Sequence, residues 1–122
     1  MAKFKDLLNL PALHTFVEES GFNKPTDVQS AAIPRLLEGK SVSVLAQTGS
    51  GKTLAYALPI VELLKKLESD ALVENTLERT PSAWIICPTE ELGAQVEKIL
   101  KSIAHLAKLR ISDCREQNRR QV

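Results

Sequence analysis

The sequence has little of the features that would assign it to a specialised class of protein. Its net charge is only +1, from 16 Lys and Arg against 15 Asp and Glu, so overall charge does not mark a nucleic-acid binder. The two cysteines, Cys87 and Cys114, are too few for a disulfide framework, and we expect reduced thiols in a cytoplasmic setting. No apolar run reaches transmembrane length, and Met1–Leu10 lacks a signal-peptide core. Specialised function must therefore lie in local motifs.

What is present is the composition of one folded domain. The chain has 122 residues, of which 43% are hydrophobic, enough for a modest core. Apolar residues at helical spacing, bounded by capping residues, predict four helices: Pro11–Ser20, Asp27–Glu38, Gly51–Leu67 and Glu90–Ala107. Short apolar runs predict buried strands: Ser41–Leu45, Ala83–Cys87 and, less strongly patterned, Leu109–Ser112. Two polar stretches without a packing pattern remain, a surface connection over Glu68–Arg79 and a tail over Asp113–Val122.

Local signals support the helix boundaries. Thr26 and Gln29 have capping-box spacing, and Thr89 is placed to cap the last helix. Pro34 and Pro59 fall inside predicted helices and should bend them. The expected core-facing stripes are Leu13, Phe16 and Val17 in the first helix, Leu54, Leu58, Val61 and Leu64 in the third, and Leu92, Val96, Ile99, Leu100 and Ile103 in the last.

The order of these elements predicts an α/β fold. Strand, helix, strand, helix and strand in succession are typical of a parallel sheet flanked by helices. Ligands of such folds bind at the carboxyl ends of the strands. The residues that directly follow the first predicted strand are therefore the first place to look for a site.

A glycine-rich phosphate-binding loop occupies that place. It follows the pattern G-x-x-x-x-G-K-[ST], with alanine at the first position: Ala46, Gln47, Thr48, Gly49, Ser50, Gly51, Lys52 and Thr53. Glycine lets the backbone turn so that its N–H groups point at a polyphosphate. Lys52 should reach the outer phosphates, the Thr53 hydroxyl should ligate Mg²⁺, and the helix N-terminus should lie beneath the phosphates.

A second candidate segment, Gly21–Gln29, lies upstream. The amide of Gln29 can accept a hydrogen bond from adenine N6–H and donate one to N7, whereas guanine presents O6 in place of that donor. Gln29 is therefore a candidate selector of ATP over GTP. Its other role is the capping box with Thr26, and the residues alone favour neither. Phe4 has two roles open as well, stacking on the base or packing against the first helix.

Three motifs together resemble those of the DEAD-box ATP-dependent RNA helicases. The segment Gly21–Gln29 resembles the family's Q motif, and Phe4, at 21 − 4 = 17 residues before it, stands where the family has an aromatic residue. The stretch LAQTGSGKT is similar to the family's first motif, including its alanine. Pro88–Gln95, reading PTEELGAQ, is similar to the family motif P-T-R-E-L-A-x-Q.

The resemblance implies a partial RecA-like domain, the N-terminal part of the first of two such domains. Its expected divisions are a Q-motif region over 1–29, a partial nucleotide-binding domain over 30–112 and a divergent tail over 113–122. It implies an adenine pocket formed by Phe4, Phe22, Lys24, Pro25 and Gln29. It assigns Lys52 and Thr53 to ATP and Mg²⁺, and places Pro88, Thr89, Gly93 and Gln95 along an RNA path. The resemblance thus names ATP and Mg²⁺ as cofactors and RNA as partner.

The chain departs from the family pattern at several points. Glu90 stands where the family has an arginine near the RNA backbone, which should weaken RNA binding, although Glu also suits a helix N-terminus. Gly93 replaces an alanine, at about 1 kcal/mol of helix stability. No Asp-Glu-Ala-Asp or Ser-Ala-Thr sequence occurs. Asp113 is a candidate metal ligand but is better read as a loop residue, and the cluster Arg115, Arg119 and Arg120 as a solvated tail.

Three functions remain open from the sequence. The first is the ATP-binding part of an RNA helicase, inactive by itself because carboxylates around the γ-phosphate and a second domain are missing. The second is a non-catalytic or vestigial adenine-nucleotide module. The third is an unrelated phosphate-loop enzyme such as a small-molecule kinase, which would explain Ala46–Thr53 but not Phe4, Gln29 or PTEELGAQ.

Overall fold

Most of the chain's described residues are helical. The structure, a computed structural model, describes residues 3–22, 24–49, 51–74 and 83–111. Within these ranges the helices are α1 (Phe4–Leu7), α2 (Pro11–Glu19), α3 (Asp27–Leu37), α4 (Lys52–Glu74) and α5 (Glu90–Ala107). The four predicted helices are confirmed, and α1 is an addition that no sequence pattern indicated. Ser50, Ser112, Cys114 and the tail over 113–122 lie outside the described residues, as do residues 75–79 of the predicted connection.

Helix α2 has the predicted boundaries. Pro11 occupies its first turn, where the missing N–H is not needed. At its other end the N–H groups of Gly21 and Phe22 donate to the carbonyls of Glu18 and Val17, both at 3.2 Å. This pair of bonds closes the helix as a Schellman motif and satisfies two of its last carbonyls.

Helix α3 begins with the predicted capping box. The Gln29 N–H donates to Thr26 Oγ1 at 3.2 Å, and the Thr26 N–H donates to Gln29 Oε1 at 2.9 Å. The helix continues through Pro34, as α4 continues through Pro59. Neither proline ends its helix; each removes one backbone N–H donor, and the bend expected at each stays a prediction.

Helix α4 is longer than the sequence pattern indicated. We expected a helix over 51–67 followed by a surface connection, but the helix extends to Glu74. The prediction was wrong for residues 68–74 because it required an apolar stripe. Glu, Ala and Leu are strong helix formers, no Gly or Pro interrupts them, and Lys65 pairs with Glu68 at 2.9 Å across one turn.

The predicted strands are not formed within the described residues. Ser41–Leu45, Ala83–Cys87 and residues 109–111 have neither helical nor strand structure. A parallel strand exists only through hydrogen bonds to a neighbour, and a periodicity argument cannot supply one. These segments are also less buried than predicted, because Leu45 is 103% exposed, Ile86 92% and Trp84 67%. The parallel sheet therefore stays a prediction.

A single hydrophobic core lies between the helices. Helix α4 packs against α3 and α5, and α2 packs against α5. The core is formed by Phe4, Leu8, Leu13, Phe16, Val17, Ile33, Leu54, Ala57, Leu58, Val61, Leu100, Ile103 and Ala107. The predicted stripes are largely buried, with Leu64, Val96 and Ile99 half-buried. Leu92 is the exception at 45% exposed, because the part of α5 that packs against other helices begins at Val96.

The segment before α2 is tied to α4 by a carboxylate. Glu62 Oε1 accepts hydrogen bonds from the N–H groups of Asn9 and Leu10, the latter at 2.9 Å. These N–H groups precede Pro11 at the start of α2, where backbone donors lack helical partners and negative charge is favourable. Glu62 therefore fixes the entry to α2 against the helix that follows the glycine-rich loop. Within the described residues, no helix is long and apolar enough to cross a membrane.

Candidate nucleotide-binding site

The glycine-rich loop, residues Ala46–Thr53, has a backbone that turns at its glycines. Gly49 and Gly51 have φ values of +85° and +84°, a region that favours glycine over residues with a Cβ. Helix α4 starts at the next residue, Lys52, and the carbonyl of Gly51 accepts its first helical hydrogen bond, from Ala55 N–H at 3.2 Å. The loop thus delivers the chain directly into a helix N-terminus, whose free N–H groups suit an anion.

The Lys52 side chain bonds back to the first residue of the glycine-rich loop. Its Nζ donates to the carbonyl of Ala46 at 2.5 Å, so the lysine spans the loop from its last residues to its first. The side chain is exposed. A hydrogen bond between an exposed ammonium and one carbonyl is easily exchanged for contacts to a phosphate, which carries more charge. The geometry therefore leaves Lys52 available to an incoming polyphosphate.

Gln29 joins helix α3 to the loop. Its Nε2 donates to the carbonyl of Gly51 at 3.3 Å, while its Oε1 serves the capping box with Thr26. The side chain is 3% exposed. A Cβ added at Gly51 would lie 2.5 Å from Gln29 Nε2 and 3.1 Å from Thr26 Oγ1, so only glycine permits this approach.

These bonds bear on the adenine prediction for Gln29. The capping role is confirmed, and contact with adenine stays a prediction. An amide has two N–H groups and two acceptor lone pairs, so the bonds to Thr26 and Gly51 leave one of each. A base that used those remaining groups would have to displace the protein groups that bury this side chain.

The other residues assigned to adenine differ in exposure. Phe4 is 5% exposed and belongs to the hydrophobic core, which agrees with its packing role. Phe22 is 45% exposed, Lys24 is exposed and Pro25 half-buried. Phe22 therefore presents more ring surface to solvent than Phe4. Stacking of either ring on a base stays a prediction.

Thr53 sits in the first turn of α4 and is half-buried. One turn later, Tyr56 is half-buried and packs against the hydrophobic core. Burial raises the pKa of the Tyr56 hydroxyl above its usual value near 10; hydrogen bonding to the Thr53 side chain lowers that pKa, and the Cys87 thiol raises it further. Tyr56 was missed by sequence reasoning, although its i, i+3 spacing from Thr53 was readable.

The residues placed along an RNA path lie around the start of α5. Thr89 caps the helix, with the Leu92 N–H donating to its Oγ1 at 3.2 Å. Pro88, Thr89 and Gln95 are exposed and Gly93 is half-buried. A Cβ at Gly93 would lie 3.9 Å from the Cβ of Cys87, an ordinary contact. The predicted residues are thus brought together at one helix end, with Glu90 and Glu91 in its first turn.

The donor set of the loop fits a magnesium–nucleotide complex. Such a complex uses a backbone that turns at glycines, here Gly49 and Gly51 with positive φ, a lysine able to leave its carbonyl, and a threonine hydroxyl at a helix N-terminus. Within the described ranges no group of three or more His, Cys, Asp or Glu side chains is placed to hold a metal by itself. Thr53 is therefore the candidate ligand here, with phosphate oxygens supplying others.

Comparison with known proteins supports the same family. A family profile described as DEAD/DEAH box helicase matches residues 26–122. The chain is 45% identical over 94 residues to "DEAD-box ATP-dependent RNA helicase 39" of Arabidopsis thaliana, covering 77% of this chain and 15% of that protein. It is 43% identical over 100 residues to "ATP-dependent RNA helicase dbp9" of Schizosaccharomyces pombe, covering 82% and 16%.

A third relative gives the same result. "ATP-dependent RNA helicase MAK5" of Vanderwaltozyma polyspora is 46% identical over 99 residues, covering 81% of this chain and 12% of that protein. The chain thus spans 12–16% of the length of these relatives. The family profile covers most of the chain, including the glycine-rich loop and the start of α5, and it implies a RecA-like fold. On this evidence the chain belongs to the DEAD/DEAH box helicase family.

Proposed function

We propose that this chain is the adenine-nucleotide-binding part of an ATP-dependent RNA helicase, and that it binds ATP with Mg²⁺ at the glycine-rich loop. The observation that carries the proposal is the joint placement of Gln29, Gly51 and Lys52. The Gln29 amide donates a hydrogen bond to the Gly51 carbonyl, where α4 begins. The next residue, Lys52, is held by one hydrogen bond to the Ala46 carbonyl, which a phosphate can replace. Relatives named as ATP-dependent RNA helicases support ATP and RNA as ligands.

In this proposal different groups of the chain contact the phosphates, Mg²⁺ and adenine. The N–H groups of residues 48–51 and the N-terminus of α4 surround the phosphates, and Lys52 leaves the Ala46 carbonyl to contact the outer ones. Thr53 would hold Mg²⁺, which neutralises phosphate charge when bound. Gln29 uses its remaining donor and acceptor for adenine, and Phe22 or Phe4 contacts the ring.

The same proposal assigns two apolar segments to a sheet. Residues 41–45 and 83–87 run directly into the loop and into the start of α5. Parallel strands at these positions would place the loop and the residues Pro88, Thr89, Gly93 and Gln95 at one edge, the carboxyl ends of the strands. ATP and RNA would then bind side by side, in a cytoplasmic enzyme.

Discrimination of ATP from GTP tests the proposal. We expect the 122-residue chain to bind ATP more tightly than GTP in a calorimetric titration with Mg²⁺. Gln29→Ala should reduce the preference, because it removes the side-chain oxygen that would accept a hydrogen bond from adenine N6–H, the group that guanine replaces with O6. Equal binding of ATP and GTP by the unaltered chain would instead favour an unrelated phosphate-loop enzyme.

The chain by itself should bind without rapid turnover. Phosphoryl transfer depends on positioned groups around the γ-phosphate, and the sequence contains neither Asp-Glu-Ala-Asp nor Ser-Ala-Thr. We expect no RNA-stimulated ATP hydrolysis and no duplex unwinding by the purified chain. Multiple-turnover, RNA-stimulated hydrolysis that disappears in Lys52→Ala would contradict this expectation.

A further inference from the structure

A shallow groove runs between helices α2 and α5 on the surface of the chain. Its volume is about 590 Å³, and it is open to solvent. It extends along α5 from Lys98 to Leu106, which is about 12 Å at the helical rise of about 1.5 Å per residue. Phe16 of α2 and Leu106 are the least exposed residues that line it, so they form an apolar floor. Its described lining includes no residue assigned to the nucleotide or to RNA.

The wall formed by α5 is basic. It is lined by Lys98, Lys101 and His105, whose i, i+3 and i+7 spacing places them on one face of the helix. All three side chains are exposed. Lys101 pairs with Glu97 at 2.7 Å, whereas no carboxylate of the described residues lies within ion-pairing distance of Lys98. Lys98 can therefore pair with an acid supplied by a binding partner.

The wall formed by α2 has the opposite polarity. It is lined by Glu19 and Ser20, both exposed, at the C-terminal end of the helix. The helix macrodipole places partial negative charge at this end, which adds to that of the carboxylate. In the part of the chain that the structure describes, no cation lies within ion-pairing distance of Glu19. The charges of Glu19 and Lys98 thus border one groove without being paired across it.

We propose that this groove binds an amphipathic helix of a partner protein, with an apolar stripe on the floor, an acidic edge beside α5 and a basic edge beside α2. Helices pack by inserting ridges of side chains into such grooves, and charges that flank an apolar seam select the partner. A nucleic-acid strand fits less well. Its phosphates would be repelled by Glu19, and the one aromatic ring of the described lining, Phe16, is buried and cannot stack on a base.

A designed peptide tests the proposal. The probe is a synthetic helix of about four turns, with leucine on one face, glutamate along one edge and lysine along the other. It is titrated into the isotope-labelled, nucleotide-free chain and followed by amide NMR. We expect saturable shifts at Ser20, Ser102 and His105, with micromolar or weaker affinity because the apolar floor is short.

Substitutions in the chain test the charge pairing. Lys98→Glu should raise the dissociation constant about 3- to 10-fold, because repulsion replaces attraction at the acidic edge of the peptide. Lys66→Glu makes the same change in net charge at an exposed position of α4 outside the groove. This matched control should leave the dissociation constant unchanged. Because the titration contains no nucleotide, its result does not depend on the proposed ATP site.

Three results would overturn the proposal. The first is a folded chain whose groove amides do not shift with the peptide. The second is equal weakening by Lys98→Glu and Lys66→Glu, which would show attraction by net charge alone. The third is saturation of the same amides by oligouridine and not by the peptide, which would assign the groove to nucleic acid.

Discussion

Gln29 Nε2 and the carbonyl of Gly51 are joined by a 3.3 Å hydrogen bond, which links helix α3 to the glycine-rich loop where α4 begins. The bond requires that residue 51 have no side chain, since a Cβ there would lie 2.5 Å from Gln29 Nε2. A residue proposed to contact adenine is thereby in direct contact with the backbone proposed to contact phosphate.

Gly51→Ala should therefore destabilise the chain and abolish ATP binding. The positive φ alone costs an L-residue about 1–2 kcal/mol, and the contact with Gln29 adds to that cost. Gly39→Ala is the matched control, because Gly39 has φ +82° with nothing within 4 Å of an added Cβ. Urea unfolding measures the loss of unfolding free energy in both variants. Equal losses in the two variants would show that the contact with Gln29 has no energetic consequence.

Glu62→Ala should lower the free energy of unfolding by about 1–2 kcal/mol, because it leaves the N–H groups of Asn9 and Leu10 without their carboxylate acceptor. Glu68→Ala removes an acid from the same helix that pairs with Lys65 on the surface, and should cost about 0.5 kcal/mol or less. Urea unfolding compares the two. A loss for Glu62→Ala no larger than for Glu68→Ala would contradict the capping role.

Gly93→Ala should stabilise the chain by about 0.5–1 kcal/mol, because alanine is the better helix former and its Cβ would lie at an acceptable 3.9 Å from Cys87 Cβ. The reverse change at the adjacent exposed position, Ala94→Gly, should cost a similar amount. Thermal unfolding of both variants checks the pair. A lower unfolding temperature for Gly93→Ala would mean that the start of α5 is packed more tightly than described.

Tyr56 makes stability depend on pH in the alkaline range. Its pKa is raised in the folded chain, chiefly by burial, so folding favours the neutral hydroxyl. The resulting stabilisation is constant below the unfolded pKa near 10 and is reduced as pH rises through the folded value. Because the chain has one tyrosine, tyrosinate absorbance reports it directly. We expect a higher midpoint in native than in urea-unfolded chain; a native midpoint at or below the unfolded one would contradict the burial.

Local chemistry was readable from the sequence, and long-range contacts were not. The capping box of Thr26 and Gln29, the Thr89 cap and the helix boundaries depend on neighbouring residues, and all are found within a residue or so of the predicted position except the end of α4. The bond between Gln29 and Gly51 joins residues 22 positions apart, and no periodicity encodes it. The predicted strands stay unconfirmed for the same reason, because a strand requires a partner that a single segment does not specify.

Helix α4 shows the opposite error. Residues 68–74 lack an apolar stripe and were predicted to be a surface connection, yet they continue the helix. Helix formation needs only favourable propensity once earlier turns exist, since propagation adds one hydrogen bond for each residue fixed. Leu92 illustrates a different limit, because it fits the apolar pattern of α5 but lies before the turn at which packing begins.

The measurement that tests the central claim most directly is a calorimetric titration of the purified chain with ATP and Mg²⁺, repeated with Lys52→Ala. Lys66→Ala, an exposed lysine of the same helix, controls for the loss of one positive charge. The account predicts saturable one-to-one binding that Lys52→Ala abolishes and Lys66→Ala preserves. Absence of binding by the folded, unaltered chain, or binding that survives Lys52→Ala, would contradict it.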